Sequence, residues 1–229
     1  MTELMIAFTI LGLTMAGVVT FTYQALNTYS YDSGRLLVNH DMRKFTGDMA
    51  TDAVYSNYFR IYPNFTHRTD TVAGVTTDAA VRDGQSGDFL VLVFTDPATE
   101  TANGQITVNR LVGYYRDPAD PNNPATSMGP VRRFDTGSQI NPAVIIGTTT
   151  NTGASPPVYT MYDLLNVYAL TTNAHTNTQV IQLAQGLSNG TLFYDFYDRS
   201  IMIKAQVQEQ GNLVKKAVNT YNFTVSPRG

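Results

Sequence analysis

TELMIAFTILGLTMAGVVTFTYQAL, residues 2–26, is the stretch that decides the fold of this 229-residue chain. Glu3 is the only charged residue among the first 31, and residues 4–19 are apolar or small apart from two threonines. An α-helix rises 1.5 Å per residue, so a helix from Leu4 to Leu26 is long enough to cross a hydrocarbon core of about 30 Å. The stretch therefore predicts a helix that is apolar on every face and meets lipid or other helices.

Two other interpretations of this segment fit less well. A buried helix of a soluble domain usually keeps polar residues on one face, and this segment lacks such a face. A secretory signal peptide needs a positively charged start and an apolar run of about 7–15 residues. Here the first cationic residue is Arg35 and the apolar run is longer.

Glu3 requires a cationic partner or a position at the water interface. An unpaired carboxylate in lipid costs several kcal/mol, whereas the dipole of its own helix returns only about 0.3–1 kcal/mol. No other charged side chain lies near it in the sequence. The candidate partner is therefore an α-amino group, either its own or that of a neighbouring copy.

The first twelve residues, MTELMIAFTILG, resemble the mature N-terminus of type IV pilins and type II secretion pseudopilins. That family shows Phe-Thr-Leu-Ile-Glu-Leu-Met-Ile and then apolar residues with glycine and alanine. Its glutamate stands fifth after the prepilin-peptidase cut and pairs with the methylated N-terminal amine of an adjacent subunit. Here the matching residue is Glu3, so we expect either that two residues are missing from the start of this chain or that processing differs.

The resemblance covers about the first 25 residues and implies both a shape and a set of partners. Pilins have a lollipop shape, with a long helix that carries a globular head. The subunit would sit in the cytoplasmic membrane before assembly and then join a homopolymeric helical filament outside a bacterial cell. Its other implied partners are the prepilin peptidase and the pilus assembly machinery.

In such a filament the apolar side chains of the first helix would pack on neighbouring helices, and Glu3 would set their register. These side chains are Leu4, Ile6, Phe8, Ile10, Leu11, Leu13 and Met15. Gly12 and Gly17, together with the β-branched residues that follow, make residues 12–20 the weak section of the helix. Two outcomes stay open for this section, namely local unwinding during assembly and close approach of neighbouring helices at the glycines.

Charges return from Asp32 onward, and the helix is predicted to continue in water. Apolar residues recur at intervals of 4, 3 and 4, which is one face of an amphipathic helix; they are Val38, Met42, Phe45 and Met49. The first proline is Pro63. We expect one helix over residues 1–57, with 1–26 serving the membrane or the filament core and 27–57 packing on a head of residues 58–229.

The head is predicted to be an antiparallel β-sheet packed on the second half of the helix, so the expected fold class is α+β. The apolar run Phe89–Phe94 indicates a central strand covered on both faces. The alternation in Ser200–Gln208 indicates a strand with one buried face. Further predicted strands and turns are Ile106–Tyr115, Val131–Phe134, Thr191–Tyr197, Val214–Val225, Asp198-Arg199 and Gln210-Gly211-Asn212, and the predicted long surface loops are Asp117–Pro130 and Thr136–Pro157.

Composition narrows the function classes. The chain has 15 Lys and Arg against 18 Asp and Glu, a net charge of −3, and no basic cluster of the kind that binds nucleic acid. It has no cysteine, which excludes a disulfide scaffold, a thiolate zinc site and a cysteine nucleophile. Its histidines (His40, His67 and His175) lack metal-ligand spacing, and no P-loop, dinucleotide-binding or nucleophile-elbow motif occurs. We therefore expect a protein that is not an enzyme and needs no cofactor.

Two acidic groups call for separate expectations. Asp117, Asp120 and Asn123 place oxygen ligands on one predicted loop, which suits Ca²⁺, although the spacing is not that of an EF-hand. The alternative is a turn cluster with solvated side chains. Asp195 and Asp198 are expected to belong to the surface of a strand and its turn.

These patterns favour a structural subunit of a type IV pilus-like surface filament. One alternative is a minor, J-type pseudopilin at the tip of a type II secretion filament, which the C-terminal hairpins, the long loops and the final Ser-Pro-Arg-Gly also resemble. The alternative from a different class is a membrane-tethered module whose long loops bind a surface ligand such as a glycan.

Overall fold

The structure, a computed structural model, describes residues 2–96, 107–120, 122–137, 140, 144–169, 178–208 and 217–228. Its first element is the 54-residue helix α1, Thr2–Tyr55. At 1.5 Å per residue this helix is about 80 Å long. The long N-terminal helix predicted from the sequence is therefore confirmed, and it ends two residues before the predicted end at residue 57.

Helix α1 has two environments along its length. Residues 2–26 are exposed on all sides, and the first buried residue is Gly34. From there a single buried stripe follows intervals of mostly three or four residues, as expected for one face of a helix. The stripe comprises Gly34, Val38, Met42, Phe45, Met49, Asp52 and Ala53.

The head consists mainly of strands, with one short second helix among the described residues. The first seven strands are β1 Tyr58–Tyr62, β2 Thr69–Val72, β3 Val75–Asp78, β4 Ser86–Gly87, β5 Phe89–Asp96, β6 Thr107–Arg116 and β7 Gly129–Asp135. The later elements are β8 Val144–Ile146, β9 Val158–Tyr159, α2 Met161–Ala169, β10 Thr178–Gly186, β11 Phe193–Phe196, β12 Ser200–Gln208 and β13 Val218–Val225. The α+β class predicted from the sequence is confirmed.

The main sheet runs β1-β5-β6-β7-β10-β12-β11-β4, and β13 pairs with β12. Among the described strands, every pairing is antiparallel except that of β8 with β9. Strands β2 and β3 form a separate hairpin. The sheet almost closes on itself, because the backbone amide of Asp88, just after β4, donates to the carbonyl of Pro63, just after β1, at 2.9 Å.

Both faces of the central sheet are buried, and β5 shows this most clearly. Its residues Leu90 and Leu92 face the core shared with α1, whereas Phe89, Val91 and Val93 face a second core. The second core is closed by α2, through Met161, Leu164 and Leu165, and by β8. The expectation for residues 89–94 is confirmed. Helix α2, which covers the second face of the central strands, was not predicted from the sequence.

The other strand predictions are met to different degrees. Strand β12 has the predicted bounds, and its buried residues alternate with half-buried ones as expected. Strand β11 is shorter than the predicted Thr191–Tyr197, and the predicted loop Thr136–Pro157 contains β8. Ile106, residues 214–216 of the last predicted strand, and the turn Gln210-Gly211-Asn212 lie outside the described residues.

Candidate functional site: the exposed apolar half of the first helix

The first half of α1 exposes apolar side chains in every direction. Each of the seven residues predicted to pack in a filament is more than half exposed; they are Leu4, Ile6, Phe8, Ile10, Leu11, Leu13 and Met15. Successive residues of an α-helix are 100° apart, so these seven positions fall on two opposite faces of the helix and do not form one stripe. The helix is long and apolar enough to cross a membrane, and no residue of its most apolar 18-residue stretch is buried.

The threonines of this segment satisfy their own hydroxyl groups. Thr9 donates to the carbonyl of Met5 at 2.7 Å, and Thr20 donates to the carbonyl of Ala16 at 2.8 Å. Thr14, Thr22 and Thr28 make equivalent bonds three or four residues back along the helix. A hydroxyl bonded in this way needs neither water nor a partner chain, so these residues fit an apolar surrounding.

Three exposed tyrosines follow the apolar run. Tyr23, Tyr29 and Tyr31 are exposed, and the part of α1 that packs on the head begins at the next buried residue, Gly34. Tyrosine is enriched where a membrane span meets water, because its ring is apolar and its hydroxyl is polar. These tyrosines were not predicted as a site, although their position at the end of the apolar run is what a boundary between lipid and water would favour.

Glu3 lies in the first turn of α1, where a carboxylate is favourable to the helix dipole. Gly12 and Gly17 lie within a continuous helix, and a methyl group added at either would meet nothing within 4 Å. The subunit alone therefore has a helical section over residues 12–20. Both outcomes for that section, unwinding during assembly and close helix approach, stay predictions.

A partly buried ionic cluster fastens the far end of α1 to the sheet. The Asp52 carboxylate accepts hydrogen bonds from the Tyr114 hydroxyl at 2.6 Å and from Arg133 Nη2 at 3.0 Å. Arg110 and Arg133 also bind the carboxylate of Asp135. Burial and the neighbouring Asp52 carboxylate raise the pKa of Tyr114. Burial opposes the charge on Asp135, but the hydrogen bonds from Arg110 and from the Gly137 amide, together with the charges of Arg110 and Arg133, outweigh it and hold its pKa at about 2.

A second buried ion pair organises the long loop after β6. Arg116 is fully buried and donates from Nε to Asp88 at 3.1 Å. Its Nη2 atom donates to the other Asp88 oxygen, and its two Nη atoms also bind the backbone carbonyls of Pro124, Ser127 and Gly190 at 2.7–2.8 Å. Burial raises the pKa of the Asp88 carboxyl, and the hydrogen bond from Arg116 opposes that rise. One side chain thus ties two separate loops to the sheet, a role that sequence analysis missed.

The calcium candidates occupy an Asp/Asn turn in this loop. The carboxylate of Asp120 accepts hydrogen bonds from the backbone amide of Asn122 and from the side chain of Asn123. Asp117 is exposed, and its carboxylate lies 3.8 Å from Arg132. In the part of the chain that the structure describes, no group of three histidine, aspartate or glutamate residues is arranged to hold a metal ion.

The expectation that Asp195 is surface is wrong. Asp195 is only 3% exposed, because the backbone of residues 84 and 85 pairs with it across the end of the sheet. Its carboxylate accepts the backbone amide of Asp198 at 3.0 Å. Burial and the nearby Asp198 carboxyl raise the pKa of Asp195 to about 6.

Asp198 belongs to a tight turn between β11 and β12 at the end of the head remote from the apolar segment. Tyr197 and Asp198 both have positive φ angles, of 57° and 51°, and the Asp83 carboxylate accepts the backbone amide of Tyr197. Two clefts of about 410 and 570 Å³ adjoin the turn, and both include Arg199. Exposed aromatic rings of Phe196 and Tyr197 stand beside them.

Comparisons with models of protein families, with curated proteins and with solved structures found no match to this chain. The fold and the site together define an α+β protein in which a helix capable of crossing a membrane precedes an antiparallel, nearly barrel-like sheet. His67 forms an exposed pair with Asp70 and is not part of a larger cluster among the described residues, and His175 lies outside them.

Proposed function

We propose that this protein is a structural subunit of a type IV pilus-like surface filament. It is held in the cytoplasmic membrane by the first half of α1 and then polymerises through that same segment. Glu3 pairs with the N-terminal amine of a neighbouring copy. The sorting and assembly partners are the prepilin peptidase and the pilus assembly machinery, and the product is an extracellular filament on a bacterial cell.

The observation that carries the proposal is the exposed apolar surface of residues 2–26 in a chain whose head is well packed. A surface of this size is not stable in water and must be covered by lipid or by protein. Lipid alone explains the hydrophobicity. A carboxylate at the head of the segment favours a partner in addition, because an unpaired Glu3 costs several kcal/mol wherever it leaves the water interface.

Glu3 supplies the first test. Replacing it with leucine, Glu3→Leu, removes the charge that sets the register between copies but keeps the segment apolar. We expect the variant to be retained in membranes at the wild-type level and to yield at least tenfold fewer filaments, because the neighbour's amine is left without a partner in the filament core. The measurement is electron microscopy of material sheared from the cell surface, with immunoblotting of the membrane fraction.

Asp32→Asn is the matched control for that experiment. It removes one carboxylate from the same helix at an exposed position beyond the apolar run, so we expect normal filaments. Filaments of normal number and appearance from the Glu3→Leu chain would refute the registering role.

One feature favours a second candidate, a membrane-tethered module that binds a surface ligand. The clefts beside the Phe196–Arg199 turn lie at the end of the head remote from α1's apolar half and combine exposed aromatic rings with Arg199. Stacking on aromatic rings and hydrogen bonding to charged groups are usual in small-ligand sites. The two candidates differ in what the apolar helix must do: a filament subunit packs it against neighbouring helices, whereas a tethered module uses it only as an anchor.

A further inference from the structure

Strand β13 has one paired edge and one free edge. All eight of its residues pair with β12, from Val218 opposite Gln208 to Val225 opposite Ile201. No described residue forms a backbone hydrogen bond to the other edge of Val218–Val225. A free edge of this length is a row of backbone donors and acceptors that can pair with another strand.

The hydrogen bonds of Lys204 show which residues of β13 face outward. Its amide donates to Leu192 and its carbonyl accepts from Leu187, so its backbone points away from β13. Hydrogen-bonded and non-hydrogen-bonded pairs alternate along an antiparallel ladder. Asn222, opposite Lys204, therefore does not use its backbone amide and carbonyl to bond β12. The same holds for every second residue of β13 counted from Asn222. The outward set is Val218, Thr220, Asn222 and Thr224.

Among the described residues, this edge has none of the usual protection against pairing. Its sequence, VNTYNFTV, contains no charged residue and no proline. The four outward residues also have exposed side chains, and the alternate ones face α1. Native edge strands are normally blocked by lysine, proline, a bulge or a covering segment. An unblocked edge therefore indicates that a strand of a partner uses it.

A second free edge lies on the β2–β3 hairpin. Its turn, Ala73-Gly74, has positive φ angles at both residues, as in a two-residue hairpin closed by Val72 and Val75. The bond from the Ala79 amide to the Arg68 carbonyl fixes the same alternation, which turns the backbone of Thr76 outward. Strand β3 is exposed at all four positions.

We propose that β3 of one copy adds to the free edge of β13 in the next copy. The partner must be an extended strand, because only a strand matches a row of backbone donors and acceptors. Two different edges make a heterologous contact, which propagates from copy to copy, whereas pairing of β13 with itself would close into a dimer. The inference rests on the proposed function, because a filament holds the heads side by side. Pairing of the heads would add contacts outside the helical core.

Cysteine crosslinking tests the contact directly, because the natural chain has no cysteine. Full-length chains carrying Thr76→Cys are co-expressed with chains carrying Thr220→Cys, Asn222→Cys or Thr224→Cys, and cell envelopes are oxidised. Paired residues on adjacent strands lie about 4.5–5.5 Å apart at Cα, which a disulfide can span. We expect at least one combination to give a crosslinked dimer on a non-reducing gel.

Leu187→Cys paired with Thr76→Cys is the matched control, since Leu187 is exposed but does not lie on the free edge. It should give no dimer. A dimer from Thr220→Cys or Asn222→Cys chains alone would overturn the proposal in favour of self-pairing of β13. The absence of any dimer across the three combinations would overturn it as well.

Proline substitution separates this inference from the proposed function. Asn222→Pro removes an outward amide, so it leaves the ladder with β12 complete; Asn222→Thr is its control. We expect Asn222→Pro to keep the wild-type melting temperature and to yield at least fivefold fewer or shorter filaments. Normal filaments from Asn222→Pro would overturn the strand contact and leave the proposed function standing. Absence of filaments from the wild-type chain would instead overturn the proposed function. In that case the crosslinks in membranes would still test whether β3 pairs with the free edge of β13.

Discussion

Asp195 and Asp135 both lie partly or wholly out of water, yet their pKa values move in opposite directions. For Asp195, burial and the Asp198 carboxyl raise the pKa to about 6, and no cation among the described residues forms an ion pair with it. For Asp135, burial is outweighed by the combined effect of hydrogen bonds from Arg110 and the Gly137 amide and of the charges of Arg110 and Arg133, and the pKa falls to about 2. Asp195, whose pKa is raised, destabilises the fold as pH rises through about 6. Asp135, whose pKa is lowered, stabilises the fold until pH falls towards 2.

The Asp195 carboxyl gives a pH-dependent prediction. Its pKa is about 3.8 in the unfolded chain and about 6 in the fold, so its contribution is fully present below pH 4 and is lost as pH rises through 6. The loss is at most about 3 kcal/mol. Asp195→Asn keeps an oxygen to accept the Asp198 amide and removes the titration. We expect the variant to be more stable than wild type at pH 7.5, and to lose that advantage at pH 4, in thermal unfolding of full-length protein in detergent.

Asp32→Asn should leave the difference between the two pH values unchanged, because Asp32 is exposed on α1. Equal destabilisation of Asp195→Asn at both pH values would contradict the assignment. It would mean that the carboxylate of Asp195 is needed in its charged form, as the acceptor for the turn that Asp83 and Asp198 complete.

The attachment of α1 to the sheet combines an apolar stripe with the ionic cluster at Asp52. The stripe fixes which face of the helix meets the sheet. The cluster fixes its position along the axis, because Asp52 must meet both Tyr114 and Arg133. Any force on the exposed half of the helix is passed to the head through these contacts.

Removing the Asp52 carboxylate should loosen that attachment. In Asp52→Ala, Tyr114 loses its acceptor, and Arg133 keeps only Asp135 among the carboxylates that bind it. We expect a loss of about 2–4 kcal/mol, less than for a fully buried pair because the arginines are partly exposed. The melting temperature of the head should fall by about 5–10 °C. Asp48→Ala, one turn earlier and without such partners in the described structure, should change it by less than 2 °C.

A loss of similar size in both variants would contradict a specific role for the cluster. It would indicate that the alanine changes act through the helix and not through the contact with Arg133.

The elements that could be predicted from the sequence are those with a strong local pattern. The stripe from Val38 to Met49 and the alternation in β12 each repeat over enough residues to specify both the element and its buried face. Helix α2 was missed because it has only nine residues, although Thr160 accepts the amide of Asp163 in a capping arrangement that the sequence does contain. Strand β10 was missed because glutamines interrupt its apolar positions.

The candidate site divides in the same way. The exposed apolar segment and Glu3 are consecutive residues, so composition alone reveals them. The burial of Asp195 depends on residues 84 and 85, more than a hundred positions earlier in the chain. The free edge of β13 depends on which strands pair with β12. Contacts between distant segments leave no local signal in a single sequence.

The head and the apolar segment of residues 2–26 need different surroundings. The head buries two cores of its own and the second half of α1, whereas residues 2–26 bury nothing within the subunit. Under the proposed function, lipid would cover the apolar segment before assembly, and neighbouring helices would cover it afterwards. These two surroundings ask different things of the same side chains, because lipid responds to total hydrophobicity and a helix interface responds to shape.

That difference yields the prediction that separates a filament subunit from a tethered module. A chain in which residues 4–19 are placed in scrambled order, with Glu3 kept, has unchanged composition and so should remain in the membrane fraction at the wild-type level after alkaline extraction. Close packing between helices depends on the order of small and large residues, including Gly12 and Gly17. We therefore expect filaments in sheared material to fall to background. Filaments of wild-type number from the scrambled chain would show that the segment serves only as an anchor, and would favour the tethered module.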